Sequence, residues 1–222
     1  MGFTIITTLS PEFERAKRDF IPTWHANSGA DEIVVHPIDE GSWVRNIVRR
    51  SEIFRDELLE RLPRGENVLV LDADCIVLRD LGEGFSDEHI ISVARWPNVN
   101  MGVVFFNLAI PFKWEHWLND TVEKIRIEAA GSRKATHECD QAVWRPRLHA
   151  MPDKIFKLPE WEWNYNNFDL PQWHYELPDL RDIVRVLHIK SHGNWLYAKL
   201  DEKLKFAKKL WPAKLACVPD PM

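Results

Sequence analysis

Three apolar runs with β character constrain the fold most: "TIITTL" (Thr4 to Leu9), "DEIVVHPI" (Asp31 to Ile38) and "VLVLD" (Val68 to Asp72). Between the second and third lies a helical pattern. Ser42 is a candidate N-cap, and Val44, Ile47, Val48, Ile53, Phe54, Leu58 and Leu59 follow the helical period to about Arg61. Buried strands of this kind demand cover on both faces, and strand–helix–strand order supplies it. The sequence therefore predicts an α/β fold: a mixed, mostly parallel, Rossmann-like central sheet flanked by helices, in a single domain. Ser10-Pro11 reads as a helix start. Further strands are expected in "HIISVAR", "GVVFFNL", "KIFKLP" and "IVRVLHI". "PFKWEHWLNDTVEKIRIEAAG" reads as a helix closed by Gly131, and "ECDQAVWR" as another helix.

The 222 residues fit one domain over 1–198, with 199–222 as a lysine-rich helix and tail packed on it. A net charge of -5 argues against a nucleic-acid partner. The start of the chain shows no signal-peptide pattern, and no stretch reaches the length of a transmembrane segment. Cys75, Cys139 and Cys217 lack metal-type spacing, and their odd number argues against a disulfide framework. The expectation is a cytoplasmic protein. Eleven tryptophans suit sugar binding and core packing equally well.

The third strand ends in Asp72-Ala73-Asp74. Ligands of open α/β sheets bind beyond the carboxyl ends of the strands, so the acidic pair falls at the expected site. Residues i and i+2 of a regular strand point to opposite faces, but a turn after Asp72 lets both carboxylates converge. Two converging anions repel unless a cation lies between them. Mn2+ or Mg2+, both oxygen-seeking, would serve. The plainer reading is a turn in which an aspartate caps the next segment.

Other segments weigh against the plainer reading. "VLVLDAD" is followed by Asn100-Met101-Gly102-Val103, then Asp140-Gln141, then Leu158-Pro159 with Trp163-Asn164, then a late histidine. In this order the motifs resemble the GT-A fold nucleotide-diphospho-sugar glycosyltransferases, particularly the glycogenin-like family 8, as a distant branch. The resemblance implies transfer of a sugar from a nucleotide diphosphate donor, a UDP-sugar by default, to an acceptor hydroxyl, that of a glycan. It implies Mn2+ (or Mg2+) held by Asp72, Asp74 and His188, with His192 as the rival histidine. It implies donor contacts from Thr7, Thr8, Asp72, Ala73, Asn100, Gly102 and Asn164, and retention of configuration with Asp140 and Gln141 at the reacting centre. If the enzyme instead inverts, Asp140 or Glu138 would act as base. Where the family continues His-X-X-Gly-X-X-Lys-Pro-Trp, this chain reads His188-Ile-Lys-Ser-His-Gly-Asn-Trp195, so Lys190, His192 and Gly193 become the candidates to meet the diphosphate.

Arg45, Arg49 and Arg50 precede the acidic strand on a helix. Arg45 and Arg49 are four apart and share one face, and the resemblance implies a cation there over the diphosphate; a solvated helix face is the plainer alternative. The stretch "PEWEWNYNNFDLPQWHYELP" reads as an acceptor wall and lid, with Trp161, Trp163, Tyr165 and Trp173 as stacking residues. An aromatic loop that merely covers the core competes with this. A nucleotidyltransferase would need a glycine-rich loop after the first strand, which "TTLSPEFERAK" lacks. A phosphate-ester hydrolase or a non-catalytic carbohydrate-binding protein are the remaining alternatives.

Overall fold

The two faces of the central sheet bury different side chains, as the alternation along its strands requires. The computed structural model describes residues 2–94, 96–99, 101–131, 139–165, 182–189, 204–205 and 207–219. Its six-stranded sheet has the order β2-β1-β3-β6-β5-β7, built from β1 (Phe3–Leu9), β2 (Glu32–Pro37), β3 (Asn67–Leu71), β5 (Ile91–Val93), β6 (Val103–Asn107) and β7 (Ile155–Lys157). β1 runs parallel to β2 and β3, and β5 parallel to β7. β6 is antiparallel to both β3 and β5. Within this sheet β6 alone is reversed, so the sheet is mixed and mostly parallel, as expected.

On one face Ile6, Val68, Val70, Val104 and Phe106 pack against Ile47, Phe54 and Leu58 of α3 (Trp43–Arg61), Trp114 and Leu118 of α4 (Trp114–Gly131), and Trp144 of α5 (Cys139–His149). On the other, Phe3, Ile5, Leu69, Leu71, Val103 and Phe105 meet Trp24 of α2 (Ile21–Asn27) and a two-stranded sheet. That small sheet pairs β4 (Cys75–Val77) with β8 (Val186–His188). A third cluster joins Leu9, Phe20, Ile76 and Leu187 to Leu204, Ala207, Trp211, Leu215 and Val218 near the end of the chain. Several tryptophans are thereby accounted for as core packing. No helix among the described residues is long and apolar enough to cross a membrane.

Local signals explain most boundaries. Ser42 caps α3 by accepting from the Arg45 backbone N–H at 3.4 Å. The Ser10-Pro11 signal differs from expectation. Pro11–Phe13 forms only a single 3-10 turn, the Ser10 side chain caps nothing, and the following helices α1 (Ala16–Asp19) and α2 are short. "HIISVAR" contributes only Ile91–Val93 to its strand. β4 escapes sequence reading because three residues are too few to show a period. Its place is set by α2: Trp24 Nε1 donates to Cys75 O at 2.8 Å, and Thr23 Oγ1 accepts from the Val77 N–H at 3.0 Å.

Candidate functional site

The site begins where β3 stops. The Asp72 backbone N–H donates to Gly102 O at 2.8 Å, and the Cys75 N–H donates back to Asp72 O at 3.1 Å. This reversal between β3 and β4 removes the strand alternation that would send the two carboxylates to opposite faces. β4 then pairs antiparallel with β8 in a register that sets Cys75 opposite His188, and the Ile189 N–H donates to Asp74 O at 2.8 Å. The pairing brings His188 Nε2 to 3.1 Å from Asp74 Oδ1 and 3.7 Å from Asp72 Oδ2. Ligating atoms of Asp74, Cys75 and His188 all lie within 4.8 Å of one another.

Arg50, in the middle of α3, closes the other side. Its Nη2 donates to Asp72 Oδ1 and, at 3.3 Å, to Met101 O, while its guanidinium carbon lies 5.1 Å from the Phe54 ring centroid. Burial works against its charge, but Asp72, Asp140 and Asp74 together outweigh burial and raise its pKa. Asp140, in the first turn of α5, is 6 % exposed. Burial pushes its carboxyl up, against the opposing pull of Arg50 and of the Gln141 N–H, which donates to its Oδ1 at 2.8 Å. Arg50 and Asp140 also line one narrow cavity with room for about one water. One guanidinium thus bonds Asp72 directly, and its charge also reaches Asp74 and Asp140.

The donor set suits a hard cation. The Cys75 thiol is turned to Gly102 O at 3.9 Å, and burial, with Asp74 and Asp72 nearby, raises its pKa well above the usual thiol range. The groups left for an ion are two carboxylates and an imidazole, a set suited to Mn2+ or Mg2+ rather than to a thiolate-bound metal. A cleft of ≈ 540 Å³ opens beside the ends of β1 and β2, lined by Leu9, Pro11, Glu14, Pro37, Ile38 and Asp39. It lies at the same carboxyl edge of the sheet as Asp72.

The remaining sequence-predicted residues divide. Asp72, Asp74, His188 and Gly102 come together. Asp140 reaches the group electrostatically through Arg50. Gln141 Oε1 accepts from Arg145 Nη2 at 2.6 Å. Thr7 is buried in the sheet, Thr8 is partly exposed, and Ala73 is buried beside Ile76. Arg45 and Arg49 stay on the exposed face of α3, where Arg49 Nη1 meets Glu52 Oε2 at 3.2 Å, away from the carboxylates. Asn164 is 0 % exposed, so its side chain faces His188 rather than an open donor cleft. Trp163 and Tyr165 are each 3 % exposed. Trp163 packs edge-on against Phe105 and under Arg185, so these two aromatics belong to the core and not to an acceptor wall. Trp161 is 46 % exposed and free to stack. Asn100, Glu138, Lys190, His192, Gly193 and Trp173 lie outside the described residues.

Arg50 is the functional candidate that sequence reasoning passed over in favour of its neighbours. Its signal was available: it lies three residues after Ile47 and four before Phe54, on the buried stripe of α3, whereas Arg45 and Arg49 lie off it. A cation on an apolar stripe has to be met by buried anions.

No protein-family model matches this chain, and no curated protein does. Solved structures do. A glycosyltransferase involved in the glycosylation of the major capsid of PBCV-1 superposes with a TM-score of 0.60 at 15 % identity, over 93 % of this chain and 100 % of that one. The glycosyltransferase GlyE of Streptococcus pneumoniae TIGR4 gives a TM-score of 0.60 at 16 % identity, over 97 % of this chain but 62 % of GlyE. Its apo form gives 0.57 at 14 %. This chain therefore spans the whole of the first neighbour and less than two thirds of the second. At such identities the likeness is one of fold, and the fold is that of these glycosyltransferases.

Proposed function

We propose that this chain is a metal-dependent glycosyltransferase of the GT-A type, moving a sugar from a nucleotide diphosphate donor, a UDP-sugar, to a hydroxyl of a glycan acceptor. The observation that carries the proposal is the convergence of Asp72, Asp74 and His188 at the carboxyl edge of the sheet, in a fold shared with solved glycosyltransferases. Asp74 and His188, with the free Oδ2 of Asp72, would hold Mn2+ or Mg2+. When bound, the ion would supply positive charge to the departing diphosphate.

The chain's own residues account for the rest of the chemistry. Arg50 fixes the Asp72 carboxylate by occupying its Oδ1, which leaves Oδ2 directed toward His188. The cleft beside β1 and β2 falls within the size range of small-ligand sites and fits the nucleoside part of the donor. The Gly102 carbonyl anchors the backbone of Asp72. By the family-8 resemblance Asp140, in the first turn of α5, would be the carboxylate to meet the sugar as positive charge builds at its anomeric carbon. Family-8 resemblance favours retention of configuration, with Asp140 and Gln141 on the donor sugar. The exposed Trp161, four residues after the end of β7, offers a stacking face for the acceptor.

A thermal-shift comparison of UDP, UDP-sugars and GDP, each with Mn2+, Mg2+ or EDTA, tests the reading. UDP with Mn2+ is expected to stabilise the protein by about 2.7 kcal/mol at a hundredfold excess over its Kd, a rise of roughly 5–10 °C for a chain of this size. EDTA should abolish the rise. A shift of the same size with and without the divalent ion would contradict the proposal.

A further inference from the structure

The His188 imidazole has two ring nitrogens, and a metal needs one of them free of its proton. Nε2 faces Asp74 and Asp72. Nδ1 faces away, 2.8 Å from Asn164 Oδ1. Asn164 follows α6 (Glu160–Trp163), whose last turn it closes by donating its N–H to Glu160 O at 2.9 Å. The next residue runs alongside β8: the Tyr165 N–H donates to Val186 O at 3.0 Å, and the His188 N–H donates to Tyr165 O at 2.9 Å. Tyr165 is thus tied through both its N–H and its carbonyl to the strand that carries His188, and Asn164 is held between α6 and that strand. It is fully buried, and its Nδ2 has no hydrogen-bond partner among the described residues. A buried amide with an unsatisfied N–H is costly, so the position is not explained by packing alone.

We infer that Asn164 is a positioning residue, and that its amide oxygen holds the proton of His188 on Nδ1 so that Nε2 is presented to the cation. This rests on the metal reading proposed above and replaces the direct donor contact expected for Asn164 from the sequence. A donor in the cleft cannot reach a side chain with no exposed surface, whereas the amide oxygen already touches the ring. Free imidazole favours the proton on Nε2, and that tautomer would aim an N–H, not a lone pair, at the Asp72–Asp74 pair. The hydrogen bond on the far nitrogen favours the Nδ1–H form, the one that a cation at Nε2 requires.

Nitrogen NMR of the protein loaded with diamagnetic Mg2+ reads the tautomer directly. The parent and Asn164→Asp should both show Nδ1–H at His188, because both keep an oxygen acceptor there. Asn164→Leu should shift the balance to Nε2–H. Titration with Mn2+ alone, followed by the EPR signal of the free ion, should show about 10–100-fold weaker binding in Asn164→Leu and a change of no more than a few-fold in Asn164→Asp. Nε2–H in the parent, or unchanged tautomer and affinity in Asn164→Leu, would overturn the inference. Should the leucine variant fail to fold, the parent spectrum and the aspartate variant still decide it. Asp74→Ala separates the two readings. If it binds Mn2+ as the parent does, the metal site itself is wrong, whereas its loss together with an unaffected Asn164→Leu refutes only the role of Asn164.

Discussion

Asp74→Ala is expected to lower UDP-sugar turnover, whether measured as transfer or as slow donor hydrolysis, by at least about a thousandfold, or ~4 kcal/mol of transition-state stabilisation. The size follows from position. Asp74 has the carboxylate oxygen nearest to His188 Nε2, at 3.1 Å, while Asp72 is partly committed to Arg50. Without Asp74 the imidazole has one carboxylate, at 3.7 Å, to share an ion with. The fold should survive the change. Asp74 anchors the backbone of Ile189 through its main-chain carbonyl, which alanine retains. Circular dichroism and the melting temperature without metal should therefore match the parent within about 1 kcal/mol, while the UDP–Mn2+ shift vanishes. An alanine variant with parental turnover would mean that the acidic pair has no part in the chemistry.

Arg50→Met is expected to act on stability first. The substitution keeps an unbranched apolar stem and removes the guanidinium, whose carbon lies over the Phe54 ring. Asp72 then loses its charged hydrogen bond, and Asp140 loses the cation that holds its pKa down against burial. Breaking a mostly buried pair by deleting one partner costs about 3–5 kcal/mol, so denaturant unfolding should show a loss of that order. The pH dependence has a definite sign. Asp140 already has a folded-state pKa above its ordinary value of 3.8, and the variant raises it further. A carboxyl that holds its proton more tightly when folded favours the folded state at low pH and opposes it as the pH rises. The deficit of Arg50→Met relative to the parent should therefore shrink as the pH falls toward the ordinary carboxylate range and be largest near neutrality. Arg49→Met, one residue away on the exposed face, should stay within about 0.5 kcal/mol of the parent at every pH.

These two variants also mark where sequence reading succeeds and where it stops. The order of strands and helices was legible because β1, β3 and β6 are rich in β-branched and other apolar residues and α3 keeps its period over 19 residues behind a serine cap. The acidic pair was legible because charge at the end of a core strand conflicts with burial. The conflict alone, however, did not reveal how the carboxylates converge. That depends on β4 and β8, two three-residue strands with no readable period, whose register puts Cys75 opposite His188. Among the arginines, spacing singled out Arg45 and Arg49, which share a face. The fold uses Arg50, because the face that matters is the apolar one. Trp161, Trp163 and Tyr165 looked alike in sequence, since an aromatic ring suits a sugar and a core equally. Burial separates Trp161 from the other two.

The central claim is that Asp72, Asp74 and His188 grip a divalent cation that in turn grips a nucleoside diphosphate. Crystals grown with Mn2+ and UDP, with diffraction collected at the manganese edge, test it most directly. The account predicts an anomalous peak bonded to Asp74 and His188 Nε2, with the diphosphate on its open side and the uridine in the cleft between Leu9 and Ile38. A map with no peak there, in which Arg50 still holds Asp72 and His188 still faces Asp74 with nothing between them, would contradict it.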